Sequence, residues 1–557
     1  MLYPKQTLLI SILAIISVPV FAATLPNAGQ LLQQQSIQPY QPQAEITIEQ
    51  PEQMQTIQAD NQQQVRIEEI RIAGNQSIAT ADLQALVHDA EGNMQTLADL
   101  QQLTKRITAY YQYKGYPYSR AYLPAQNLNA GVLTIAIIEA KYDRIHVNNQ
   151  ADLSPELVQA ILAPLQSGQV IDSATLQQQL KLLNRLDGVQ TRNVISAGRY
   201  VGTSDLTIDI QPTAKLTGYV GADNYGNEYT KEARFTAGVV LNNALGLGDR
   251  LSLDGLTSGN LNFGRLGYEA TINGSGTRLG ASYSDLSYKL GKEYRVLDAV
   301  GIAQQASVWI NQPVLLNNRS EVILGVQYDH KRLEDDITVA DIYRHRDIHV
   351  GRIRLDTSQF DDFAGGGLTQ IGVAAEIGQV VYKNATAALD DQMTAKTQGD
   401  FVSASLNVSR LQNLNGSKTQ LYTSLQAQFS PDNLDSAQQF SVGGASGLAG
   451  YKNSTLSGSS GYYASVELRQ NLYASAHNQF TSKVYVDTAT VQHQAREWQG
   501  LTGDNKESLH SAGLGLNWLN SSQTQASLSI GFPIGAKLKM SDKQNDAKVW
   551  FSVSKYF

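Results

Sequence analysis

From about residue 214 to Phe557 the chain alternates apolar and polar residues with a period of two, broken at short intervals by turn-forming residues. Phe235, Ala237, Val239 and Leu241 interleave with Arg234, Thr236, Gly238 and Val240; Ala526, Leu528, Ile530 and Phe532 interleave with Ser527, Ser529 and Gly531. A strand turns successive side chains to opposite faces, so each segment has one apolar face and one small or polar face. After residue 22 no run of 18 apolar residues occurs, and the last alternating segment, 549–557, closes on the aromatic Phe557. In lipid every backbone N–H and C=O must be satisfied internally, which leaves helices and closed barrels. Apolar-out, polar-in alternation therefore predicts a transmembrane β-barrel of the outer-membrane type. The 344 residues from 214 to 557, at about 20 per strand and connection, predict roughly 16 antiparallel strands. A soluble β-sandwich alternates similarly, but the length, the terminal Phe and the leader described next argue against it.

Residues 1–22 read as an export signal. Lys5 gives the positive start, 8–18 an apolar core, and Val20-Phe21-Ala22 a small-x-small cleavage site, so a mature start at Ala23 is expected. The apolar run is short for an anchor and Pro19 interrupts it. The absence of cysteine removes disulfides, thiol nucleophiles and Cys-ligated metals. At 42% hydrophobic residues the chain is too polar for a helical membrane protein, whereas a barrel needs only alternate positions apolar. A net charge of −7 without a block of like charge leaves no basic face for nucleic acid.

Ahead of the barrel the pattern is different. Residues 25–37 suit one short helix with Leu31 and Leu32 on its apolar side, and the Gln/Pro-rich stretch up to residue 64 reads as a flexible linker. Residues 65–142 predict a small α/β domain. A strand over 65–72 has a slip between Glu68 and Glu69 that suggests a bulge. Helices follow over 81–88, with Thr80 as N-cap, and 97–113, with Leu100, Leu103 and Ile107 on one face. Strands near 119–123 and 132–138 complete it. Residues 143–213 repeat the order: a strand opening at Ile145, helices over 155–162 and 173–186, strands over 191–197 and 206–210. The period predicts two tandem domains of one fold.

Strand, helix, helix, strand, strand, twice over, ahead of a C-terminal barrel resembles the two-partner (type Vb) secretion transporters, the haemolysin secretion/activation proteins. The two small domains are similar to their POTRA domains. Three segments carry the likeness: Leu25-Pro26-Asn27-Ala28-Gly29-Gln30-Leu31-Leu32, the first hairpin from Val220 to Asp249, and Phe440-Ser441-Val442-Gly443-Gly444-Ala445-Ser446-Gly447-Leu448-Ala449-Gly450-Tyr451. The resemblance implies that Leu25, Leu31 and Leu32 belong to a plug helix. It implies an inward-folded loop whose tip is Gly443, Gly444, Leu448, Ala449, Gly450 and Tyr451, and a barrel-assembly signal at Phe557. The family usually carries Val-Arg-Gly-Tyr or Val-Arg-Gly-Phe at the tip, and its Arg pairs with a wall Asp. Here Ala449 stands where that Arg is expected, while Asp487 is the matching Asp. Alternation puts Val484 and Val486 toward lipid, hence Asp487 toward the lumen. Lys483 and Lys452 are candidate substitute cations, although Lys lacks the bidentate fork of Arg.

The implied function is outer-membrane export. POTRA domains bind an unfolded partner protein in the periplasm, through its N-terminal secretion domain, and the barrel passes it outward without ATP. No Walker A run or Gly-x-Ser-x-Gly elbow occurs, so no enzyme and no cofactor is expected. Expected partners are that large secreted protein, outer-membrane lipid and lipopolysaccharide, and the barrel-assembly machinery during biogenesis; the chain is expected to act as a monomer. The alternative is an outer-membrane assembly and insertion factor of the same superfamily. It would usually carry more POTRA domains and no plug. His345, Asp347 and His349 would share a face on a strand and fit a polar cluster better than a metal site. Asp335-Asp336 and Asp361-Asp362 read as solvated loop charge, and Gly365-Gly366-Gly367 as turn glycines.

Overall fold

The computed structural model describes residues 25–35, 48–49, 63–128, 130–416, 418–499, 501, 503–535 and 546–557. The expected export signal and most of the Gln/Pro-rich segment lie outside the described residues.

Helix formation at the N-terminal end follows local capping. Helix α1 (Ala28–Gln33) starts where the Asn27 side chain accepts from the Gln30 N–H. In the first small domain the apolar slip at Glu68 is a break between two strands, not a bulge. Gln64–Arg66 pairs with Met94–Thr96, and Glu69–Ala73 joins a separate sheet beside Val132–Ile138 and Arg120–Tyr122. Helix α2 (Thr80–Ala85) is shorter than expected, and its N-cap is Ala79 without a capping side chain. Helix α3 (Leu97–Tyr113) occupies the expected range. Thr96 and Asp99 form a reciprocal capping box, and Leu100, Leu103 and Ile107 are buried against the sheet.

The second small domain repeats this build. Helices α4 (Pro155–Leu162) and α5 (Ser173–Asn184), capped by Ser154 and Asp172, cover a sheet of Lys141–Asn149, Val189–Ala197 and Thr203–Pro212. Its first strand begins at Lys141, ahead of the expected Ile145. Ile48–Glu49, from the linker, adds in parallel to the free side of Val189–Ala197 at Asn193 and Val194. The domain is docked under the barrel mouth. Asn243 Nδ2 donates to the Ala151 carbonyl (2.8 Å), the Ser154 N–H donates to the Gly246 carbonyl (2.8 Å), and Arg278 pairs with Asp187 (2.5 Å).

Sixteen antiparallel strands, from Leu216–Asp223 to Lys548–Tyr556, form a closed barrel, as the sequence predicts. Closure pairs Tyr219 with Tyr556 through Asp223 with Ser552. Phe557 extends this ladder by exchanging backbone hydrogen bonds with Gly218 (2.8 and 3.0 Å). The strands differ in length. Those beside the closure, Leu216–Asp223, Arg234–Asn242 and Lys548–Tyr556, have 8, 9 and 9 residues. On the far side, Ala299–Leu316, Ser320–Ile337 and Ile342–Asp361 have 18, 18 and 20. Outward positions are apolar and exposed, as at Phe235, Val239, Leu528 and Phe532. Among the described residues no helix is long and apolar enough to cross a membrane.

Candidate functional site

Two elements fill the lumen. One is the loop 430–459, between strands Thr419–Phe429 and Ser460–Ala474, which folds inward as a hairpin of Phe440–Val442 and Leu456–Gly458. Its turn needs glycine: Gly443 and Gly444 have φ of +136° and +86°. Leu448 and Tyr451 pack with Val442 and Leu456 against the wall residues Tyr463, Ala489, Val491 and Leu509. Ala449 packs on Tyr485 and Trp550, and the Trp550 indole N–H donates to the Ala449 carbonyl (2.7 Å). The tip backbone touches wall backbone, since a Cβ on Gly450 would lie 2.7 Å from the Phe532 carbonyl carbon.

Asp487 faces the lumen and is 2% exposed, while Val484 and Val486 face outward. Tyr463 and Ser511 hydroxyls donate to its two oxygens (3.2 and 3.1 Å), and the Ala449 backbone N–H lies beside it. The tip and Asp487 are thus brought together through neutral groups. Neither candidate lysine serves Asp487. Lys452 is drawn to Glu228 of the first outer loop (2.6 Å), which also holds Lys292, and Lys483 lies 3.7 Å from Glu467 on the adjacent strand. Each lysine has a nearer carboxylate, and Asp487 is closed off behind Tyr463.

The second lumen element is α1. Ala28 and Leu31 are buried among wall residues including Leu286, Leu333, Ile348 and Val350, with Leu25 and Leu32 packed at the margin. The helix also rests on the inward loop: a Cβ on Gly29 would lie 2.7 Å from the Ala437 nitrogen. Polar contacts tie α1, loop and wall into one network. The Ala28 N–H donates to Asp335 (2.7 Å), which also accepts from the Tyr288 hydroxyl (2.6 Å). Arg346 spans Asp335 (2.9 Å) and Asp435 of the loop (2.5 Å). Ser436 donates to Asn27 (2.8 Å), and Gln34 donates to Ser454 (2.8 Å).

This corrects the solvated-loop reading of the acidic pairs. Asp335 anchors α1, Asp336 pairs with His345 (2.7 Å), and Asp361 pairs with Arg410 (2.7 Å); Asp362 alone of the four is largely exposed. Sequence reasoning missed Arg346, Asp435, Glu228 and Trp550. Arg346 was legible in principle as a charge on the inner parity of a strand, between Arg344 and Ile348. Its partners come from distant segments and were not. Below α1 a polar cavity of about 380 Å³ is lined by Leu32, Gln35, Arg265, Trp309 and Arg354. Among the described residues no cluster of His, Asp and Glu could hold a metal.

Sixteen strands, two small α/β domains ahead of them in the chain and a lumen stopped by a helix and a folded-in loop make up an outer-membrane polypeptide transporter. The model for "Haemolysin secretion/activation protein ShlB/FhaC/HecB" matches residues 202–518, and that for "POTRA domain, ShlB-type" matches 65–140. The chain belongs to the haemolysin secretion/activation protein family of two-partner secretion transporters. It is 25% identical over 554 residues to the heme/hemopexin transporter protein HuxB of Haemophilus influenzae (strain 86-028NP), covering 98% of this chain and 97% of the relative. It is 25% identical over 428 residues to the outer membrane transporter CdiB of Escherichia coli O6:K15:H31, covering 73% and 69%. In fold it is similar to CdiB from Escherichia coli, with TM-score 0.71 and 21% identity over 100% of this chain and 99% of that one. BamA from Haemophilus ducreyi lacking POTRA domains 1–3 shares the fold at TM-score 0.52 and 17% identity, over 88% of this chain and 100% of that one.

Proposed function

We propose that this chain exports one large partner protein that reaches the periplasm unfolded, engages residues 65–213, and passes through the barrel without ATP. The observation that carries this reading is the stoppered lumen. Helix α1 and the inward loop fill the pore through side-chain contacts that can break and reform, and a channel for small solutes would have no use for them. Main-chain hydrogen bonds at a sheet edge give a partner strand affinity with little sequence demand. The edge of Val189–Ala197 is suited to it, and Ile48–Glu49 holds part of that edge at rest. Residues 1–22 direct export and are removed, Phe557 signals to the barrel-assembly machinery, and the protein works as a monomer.

The full-length likeness to a heme/hemopexin transporter makes a haem-acquiring partner the first to test. Export of a large protein encoded beside this chain is measured in cells with the full chain, without it, and with residues 65–213 deleted. Loss of surface or medium partner in both defective strains is expected. Unchanged export, with a general loss of other barrels, would favour the assembly factor instead.

A further inference from the structure

The outer wall carries a polar cluster that neither the lumen nor the small domains use. On strands Ser320–Ile337, Ile342–Asp361 and Gly367–Tyr382 the outward positions form an apolar, exposed belt that includes Leu324, Val326, Ile353, Leu355, Val373 and Ile377. Tyr328 stands at the outer end of this belt. Beyond it the outward residues become His330 and Arg332, paired across the ladder with His349 and Asp347. The His330 and His349 rings stack with centroids 4.7 Å apart and 5° between planes. The Tyr328 hydroxyl is 2.8 Å from His349 Nδ1, which leaves the far nitrogen of that ring for another partner.

Asp347 lies at the centre, its side chain 9% exposed. Lys383 Nζ is 2.7 Å from it, Arg332 Nε 3.7 Å and His330 Nε2 3.8 Å. One carboxylate thus faces two permanent cations and one imidazole, with the His349 ring stacked on that imidazole, and the two cations exceed its charge. The side chains of Arg332 and Lys383 remain 56% and 51% exposed. Asp347 Oδ1 and His330 Nε2 are closed off from water without a hydrogen-bond partner.

Depth along the wall selects the occupant. A tyrosine bounding an apolar belt marks the interface, so the cluster sits at headgroup level in the outer leaflet. The anions at that level are the phosphates of lipopolysaccharide. Arg and Lys beside a bilayer are drawn to phosphate, and Arg binds it with directional N–H groups. We propose that His330, Arg332, His349 and Lys383 form a phosphate site for lipopolysaccharide on the outer wall. Glu334 and the Asp336–His345 pair, on the outer side, bound it. The same two strands carry Asp335 and Arg346 on their inner parity, so a bound lipopolysaccharide braces the wall on which α1 rests. The site needs only a barrel in an outer membrane, whatever the barrel exports.

The test uses the purified full chain in detergent, titrated with lipopolysaccharide and followed by native mass spectrometry. The variant is His330→Gln/Arg332→Gln/Lys383→Gln. The control is Thr488→Ala/His510→Ala, a hydrogen-bonded pair (2.9 Å) at outward positions of other strands. Affinity is expected to fall about tenfold or more in the triple variant and to hold in the control. Dephosphorylated lipopolysaccharide should bind the wild type as weakly as intact lipopolysaccharide binds the triple variant. Equal binding by wild type and triple variant overturns the proposal, as does indifference to dephosphorylation. Phosphatidylglycerol binding as tightly as lipopolysaccharide overturns the choice of occupant. Heat-modifiable migration checks that the variant barrel is closed, and Arg332→Gln alone, at a largely exposed side chain, gives the same reading in a milder form.

Discussion

At the scale of single residues, Ala449 changes how the loop tip is held. With no guanidinium at the tip, Asp487 is satisfied by the hydroxyls of Tyr463 and Ser511, and Trp550 grips the tip backbone. An amide can replace a carboxylate that serves only neutral donors, since it keeps one acceptor oxygen and gains a donor for a hydroxyl. Asp487→Asn is therefore expected to leave export and resting conductance within about twofold of wild type, because its hydrogen bonds are re-formed; loss of a whole bond, about 1 kcal/mol, would show as about fivefold. Trp550→Phe is expected to act more strongly. It strands the buried Ala449 carbonyl, at a cost of about 1–3 kcal/mol, and should raise the open probability in planar bilayers severalfold. A large effect of Asp487→Asn together with none of Trp550→Phe would show that the carboxylate, not the indole, holds the tip.

At the scale of elements, α1 is held by shape and by charge. A side chain at Gly29 meets Ala437, so Gly29→Leu is expected to displace the helix while the barrel stays closed. Its single-channel conductance should approach that of a deletion of residues 23–40, which itself should exceed wild type; wild-type conductance in the deletion would remove α1 from the role of plug. Arg346→Ala takes the cation from buried Asp435 and half-buried Asp335 and is expected to cost about 3–5 kcal/mol, read as increased basal conductance and a lower temperature of heat modification. How far these elements could be read from sequence varied with the range of the interactions that fix them. Helix α3 was legible in its range, because its 3.6-residue period is local; its Thr96–Asp99 box, equally local, was not read. The inner and outer parity of the wall was legible for the same reason. The break at Glu68 was seen only as a slip, since the choice between bulge and break depends on which partner strand each half meets. The Asp335–Arg346–Asp435 network was not legible, because it joins two adjacent strands to a loop some 90 residues on.

At the scale of the whole molecule, the small domains carry paired carboxylates that tie their stability to pH. In the second domain, the Arg199 side chain and backbone N–H hold the Asp143 carboxyl down at about 2, and Arg144 holds Asp205 below the usual carboxylate range. In the first, burial pushes the Glu139 carboxyl up. Hydrogen bonds from Ser77, Gln76 and Tyr111 outweigh it and leave the group below its ordinary value. A carboxyl whose folded pKa is depressed adds stability above its unfolded pKa, about 4, and that stability is lost as pH falls toward the folded value. Between pH 4 and pH 2 the second domain is expected to loosen. Arg199→Gln should flatten the fall of its unfolding temperature over that interval, measured by circular dichroism on the full chain; an unchanged slope would mean the pair does not govern acid stability. The uneven strand lengths act on the surroundings instead. Nine residues at about 3.3 Å each, tilted by about 40°, reach about 23 Å along the normal, against an outer-membrane apolar band of about 25 Å. The strands of the far side overshoot that thickness. A sheet of lipid that resists compression must therefore thin beside the short strands, or the cylinder must lean, and either costs a fraction of a kcal/mol per Å of misfit. Any such misfit falls along one line of the circumference, the line where the barrel closes.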